Sequence, residues 1–194
     1  SSPVQIGSSS WTAVSCGDSH TAALGTNGAL FTWGGGASGQ LGQNFLNDAD
    51  VPWATTAISV SEGDTFGFFI KTDGTLWAKG LGTSGQLGDG TIVTKSSPVQ
   101  IGSSSWTAVA AGLSHTAAIR SDGLLFAWGT NSSGQLGDGT TVNKSSPVQI
   151  GSSSWTLVTA GATHTVAIRS GGALFTWGRN NAGQLGDGTT VDKS

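Results

Sequence analysis

Three histidines stand at positions 20, 115 and 164, at intervals of 95 and 49 residues, and three aspartates at 89, 138 and 187, at intervals of 49. Imidazoles and carboxylates are the groups from which metal sites and acid–base pairs are made. Their phase argues against both uses. Identical phase in the repeat puts each histidine on a different structural unit, so the three converge only if all face one axis. His20, His115 and His164 therefore read as buried imidazoles hydrogen-bonded to a neighbouring strand. A hard cation asks for about six to eight oxygens, whereas each Asp89, Asp138 or Asp187 loop offers one carboxylate. These aspartates read as turn formers that accept backbone N–H bonds. No Ser-His-Asp order, close carboxylate pair or phosphate loop stands out. The sequence implies no catalytic turnover, no cofactor and no metal. Cys16, the single cysteine, excludes an intrachain disulfide or thiolate cluster. It matches Ala111 and Ala160 in phase, so a small buried side chain is expected there.

These residues are placed by a repeat. Gly-Gln-Leu-Gly occurs four times, with Gln40, Gln86, Gln135 and Gln184 at intervals of 46, 49 and 49 residues. A period near fifty marks an array of one small unit, here residues 1–49, 50–95, 96–144 and 145–194. In the third unit, residues 98–101, 106–111, 115–120 and 124–128 are short apolar runs separated by turn residues, the pattern of strands. Pro98 suits a strand start or an outer edge. Asn27-Gly28, Asp73-Gly74, Asp122-Gly123 and Gly171-Gly172 share one phase and predict two-residue hairpin turns, so the second and third strands of each unit pair antiparallel. The polar stretch after each Trp-Gly, such as residues 130–146, is expected to cross a surface. Four strands and one long connection describe a β-propeller blade, and blades must stack to bury their faces.

Seven of the eight tryptophans fall into two periodic series. Trp33, Trp77, Trp128 and Trp177 are expected as core filler, each burying ~200 Å2; Trp11, Trp106 and Trp155 read the same way. A carbohydrate platform competes for these indoles, but strict periodicity within strands favours a core. Trp53 alone lies outside both series. The second unit is atypical: it lacks Ser-Ser-Ser-Trp and has Phe66 where the others have His. Drift explains that; the alternative is a specialised contact blade with Phe45, Leu46 and Trp53 as apolar anchors for a partner.

Of 194 residues 32 are Gly and 10% are charged, with a formal net charge of -3 and no basic run. Nucleic-acid binding needs clustered Lys and Arg, so nucleic acid is disfavoured as a partner. No apolar stretch nears the roughly 20 residues of a membrane helix, so no membrane insertion is expected. Methionine is absent, and residues 1–3 and 193–194 fall at nearly one phase of the repeat. That reads as a window on a longer array, or a processed product.

Gly17-Asp18-Ser19-His20-Thr21, Gly112-Leu113-Ser114-His115-Thr116 and Gly161-Ala162-Thr163-His164-Thr165, with the Trp-Gly strand ends and Gly134-Gln135-Leu136-Gly137-Asp138-Gly139, resemble the regulator-of-chromosome-condensation repeat, closest to its bacterial and phage-type members. The resemblance implies an all-β propeller of four-stranded antiparallel blades. About four are present here, against seven in a full ring, so the chain is a partial ring, is completed by other copies, or closes unusually small. Three functions are open, the first favoured by the near identity of units three and four, the polar loops and the low charge, the other two supplied by the resemblance. The first is a structural, adhesive or protein-binding module, at a surface, secreted or virion-associated. The second is an inhibitor or docking platform similar to secreted β-lactamase inhibitors. The third and least favoured is a small-GTPase exchange factor. The expected partner is a protein or another copy of the chain.

Overall fold

A computed structural model describes residues 2–3, 5–8, 10–41 and 57–194. Phe45, Leu46 and Trp53 lie outside the described residues. The described chain holds thirteen β-strands and no helix. The first three, β1 (Trp11–Cys16), β2 (His20–Gly25) and β3 (Leu30–Gly34), form one antiparallel sheet. A second sheet comprises β4 (Ala57–Glu62), β5 (Phe66–Lys71), β6 (Leu76–Gly80) and β7 (Lys95–Gln100). The third and fourth blades, β8 (Trp106–Ala111), β9 (His115–Arg120), β10 (Leu124–Gly129), β11 (Lys144–Ala160), β12 (His164–Arg169) and β13 (Leu174–Gly178), share one continuous strand. The first half of β11 is the outer strand of blade three, paired with β10, and its second half is the inner strand of blade four, paired with β12. Blades two and three therefore take their fourth strand from the start of the next repeat. Pro98 and Pro147 lie in these outer strands, where a missing N–H is tolerated.

The hairpins between second and third strands form as expected, but their loops hold three residues. Lys71 N–H donates to Thr75 O and Gly74 N–H to Lys71 O, leaving Thr72, Asp73 and Gly74 in the loop, with Gly74 at φ 82°. This is a turn followed by one left-handed residue. Glycine alone must carry the positive φ, while Asp73 Oδ1 accepts the Thr75 N–H. The inner strands share another device. Each slips register after its first residue, and at that slip Thr12, Thr107 and Thr156 donate their hydroxyls to Leu24, Ile119 and Ile168 carbonyls. A hydroxyl thus satisfies the carbonyl that the bulge leaves unpaired.

Three apolar clusters fill the spaces between consecutive blades. Leu24 and Leu30 of blade one meet Ala57 and Phe69 of blade two. Ile70, Leu76 and Leu87 meet Trp106 and Trp128, and Ile119, Leu125 and Leu136 meet Trp155, Val158 and Trp177. The chain is a partial propeller whose core lies between blades.

Candidate functional site

The polar interior begins with Gly-Gln-Leu-Gly. It does not merely cross a surface as its composition suggested: Gln86, Leu87, Gln135 and Leu136 are buried. The Gln135 carbonyl accepts the Trp177 indole N–H at 3.0 Å and the Thr165 hydroxyl at 2.8 Å. The Gln86 carbonyl accepts Trp128 and Thr116 in the same way, both at 2.9 Å. One carbonyl has two lone pairs, and both are used. The Gln side chain turns back to accept the Ser133 N–H, fixing the loop. The second glycine of the motif lies on the next indole: a Cβ on Gly137 would stand 2.6 Å from Trp177 Nε1, and its φ is 75°. The tetrapeptide is therefore a clamp for the tryptophan of the following blade.

The histidines complete this set. Thr165 spends its one proton on Gln135, so it must accept from His115 Nε2, 3.0 Å away. The imidazole is a neutral donor, and burial, aided by repulsion from His164, lowers its pKa to about 4. With the proton on Nε2, the lone pair sits on Nδ1, which is buried and has no hydrogen-bond partner among the described residues. His20 and His115 are buried and His164 is half-buried. The loop aspartates also behave as read from sequence. Asp89, Asp138 and Asp187 accept backbone N–H bonds from Thr91, Thr140 and Thr189. Asp187 is held at a pKa of about 2, chiefly by the Thr189 hydroxyl and N–H.

Three expectations fail. Trp77 does not belong with Trp33, Trp128 and Trp177: the pairing of Phe69 with Trp77 and Ala118 with Phe126 places it at a phenylalanine position. It stacks on Phe69 and remains part-buried. The residue at the tryptophan position of blade two is Lys79. Trp33 and Trp11 are not core, being 38% and 37% exposed, because no preceding blade covers them. Cys16 is exposed, at the axial opening, instead of buried.

Blade two rewrites the interface with blade one. Glu62 stands where others have Cys or Ala, Gly67 where they have Thr, and Lys79 where they have Trp. Gly67 makes room for the Glu62 carboxylate, which a Cβ would overlap. Glu62 Oε2 takes the place of the threonine hydroxyl, 2.9 Å from His20 Nε2, with both side chains fully buried. Lys79 is also fully buried, and its Nζ finds no hydrogen-bond partner among the described residues. Burial pushes its pKa down, opposed by the charge of Glu62. Buried ionic sets are often less stable than the apolar packing they replace. Restoring the consensus with Glu62→Ala, Phe66→His, Gly67→Thr and Lys79→Trp together should raise stability by about 1–3 kcal/mol in urea unfolding.

Around the axis, the inner strands and following turns of all four repeats line one opening of about 310 Å3. Cys16-Gly17-Asp18, Glu62-Gly63-Asp64, Ala111-Gly112-Leu113 and Ala160-Gly161-Ala162 contribute the same three positions each. Asp18 N–H donates to Asp64 O and Leu113 N–H to Ala162 O, tying the turn of blade one to that of blade two and the turn of blade three to that of blade four. The rim is acidic at blades one and two and apolar at blade three, where Leu113 is exposed.

Antiparallel blades around an axis, tied by a recurring Trp–Gln–Thr–His set, define a repeat propeller. The chain belongs to the regulator of chromosome condensation (RCC1) repeat family: one repeat model matches residues 73–119 and 122–168, and a second matches 11–40, 106–135 and 155–184. Comparison with curated proteins gives no match. Among solved structures the chain is similar to human WBSCR16, at 24% identity and TM-score 0.86, covering 98% of this chain and 53% of that one. It is similar to yeast RCC1 (Prp20) bound to Kap60, at 19% identity and TM-score 0.82, covering 98% and 48%. It is also similar to Prp20p of Saccharomyces cerevisiae, a structure reported with binding to Gsp1p and histones, at 23% identity and TM-score 0.81, covering 97% and 50%. The chain spans about half the length of these structures, and the likeness establishes the fold.

Proposed function

We propose that this protein is a rigid, non-catalytic protein-binding module of structural or adhesive kind, suited to a cell or virion surface, and that the axial rim is its contact face. The observation that carries the reading is the rim itself, where each of the four repeats contributes the same three positions around one opening and backbone bonds tie the first turn to the second and the third to the fourth. Such a surface is preorganised, which lowers the entropic cost of binding. Asp18 and Asp64 would meet cationic side chains of the partner and Leu113 an apolar one. The yeast relative Prp20p is described as binding Gsp1p and histones, and histones supply a basic test protein. Wild type should bind immobilised histones with an affinity that falls as salt rises. Asp18→Ala with Asp64→Ala should weaken that binding at least ~10-fold with an unchanged melting temperature. Equal binding by the double variant, or none by wild type, removes the rim from this reading.

A further inference from the structure

The two end faces of the array are halves of one interface. At the interface of blades three and four, Leu125 and Ile119 pack on Trp155, Val158 and Trp177. The equivalents on the outer side of blade four and the outer side of blade one lack a covering blade: Leu174 is 64% exposed where Leu125 is buried, and Trp11, Val14 and Trp33 are exposed where Trp155, Val158 and Trp177 are buried. The polar residues are equally matched. The set His115–Thr165–Gln135–Trp177 has its counterparts in His164, Thr21, Gln184 and Trp33, all four identical in type. Blade two keeps only Gln86 of that set, having Phe66, Gly67 and Lys79 at the other positions, yet the open ends keep all four. The strand edge agrees. Gly178 already bridges Lys193 as Gly129 pairs Lys144, but among the described residues β13 has no further outer strand. Residues 1–12, SSPVQIGSSSWT, are identical to 96–107 and 145–156, segments that supply the outer strand to β6 and β10. Ile6 is 57% exposed where Ile101 and Ile150 are buried.

We propose that a second copy of this chain binds head to tail, placing its Pro3, Gln5 and Ile6 on the β13 edge and its Trp33 on the Gln184 carbonyl. The interface continues one the chain already makes between its own blades and is independent of the axial rim. It is heterologous, so two copies close a ring of eight blades or more copies extend the array.

Sedimentation of the 194-residue chain tests this. Wild type at about 100 µM should sediment at no less than twice its 19.4 kDa mass and dissociate on dilution. Leu174→Asp and Trp33→Asp, both at exposed sites, should each be monomeric with unchanged circular dichroism. Mixing them should restore a dimer, because each retains the face the other lost; a self-complementary contact would not be rescued so. A monomeric wild type at that concentration overturns the proposal. So does an oligomer that survives both substitutions, or variants whose mixture stays monomeric.

Discussion

Trp128→Ala should cost about 3–5 kcal/mol of unfolding free energy. Trp128 is fully buried, packs edge-on against Phe68 and Trp106, and donates its indole N–H to Gln86. Its removal opens a cavity and leaves the Gln86 carbonyl with one donor, Thr116. A total stability of roughly 5–15 kcal/mol makes such a loss decisive. Trp33→Ala supplies the contrast. Its side chain occupies the same phase on an uncovered face, so in dilute solution the cost should be well under half that of Trp128→Ala. Chemical denaturation of both variants checks the pair, and equal losses would contradict the burial difference.

The second large effect is acid destabilisation centred on His115. An unfolded histidine takes up its proton near pH 6.5, whereas the folded His115 does so only near pH 4. Between those values the unfolded chain binds more protons, so stability is full above pH 6.5 and falls as the pH drops towards 4. The gap corresponds to about 3 kcal/mol. The depressed Asp187 carboxylate loses its contribution only below its ordinary value of 3.8, outside this window. Urea unfolding at pH 7, 5.5 and 4.2 should show a steep loss in wild type and a shallower one in His115→Gln. Parallel curves would mean that His115 does not hold its proton off in the fold.

Much of this architecture was legible because repetition and turn chemistry are local. The Asn-Gly, Asp-Gly and Gly-Gly phases located the hairpin between second and third strands in each repeat, and His115 was placed against a neighbouring strand by its period alone. What failed was non-local. Trp77 looked equivalent to Trp128 because both stand near a strand end followed by glycine, and only the pairing register shows that Lys79 holds the tryptophan position. The burial of Gln86 and Gln135 was invisible in a polar loop, because their role belongs to the main-chain carbonyl and depends on the next blade's indole. Trp33, Trp11 and Cys16 were misplaced for a related reason. Their exposure follows from where the ring opens, and each lies in a segment that closely matches the covered repeats.

The interlocking of consecutive blades through tryptophan and glutamine is tested most directly by hydrogen exchange of the indole N–H groups, followed by NMR in dilute solution. Trp128 and Trp177 should exchange at least ~100-fold more slowly than Trp33. Exchange of Trp128 and Trp177 at the rate of Trp33 would show that the carbonyl clamp does not form, and the account of how these blades hold together would fall with it.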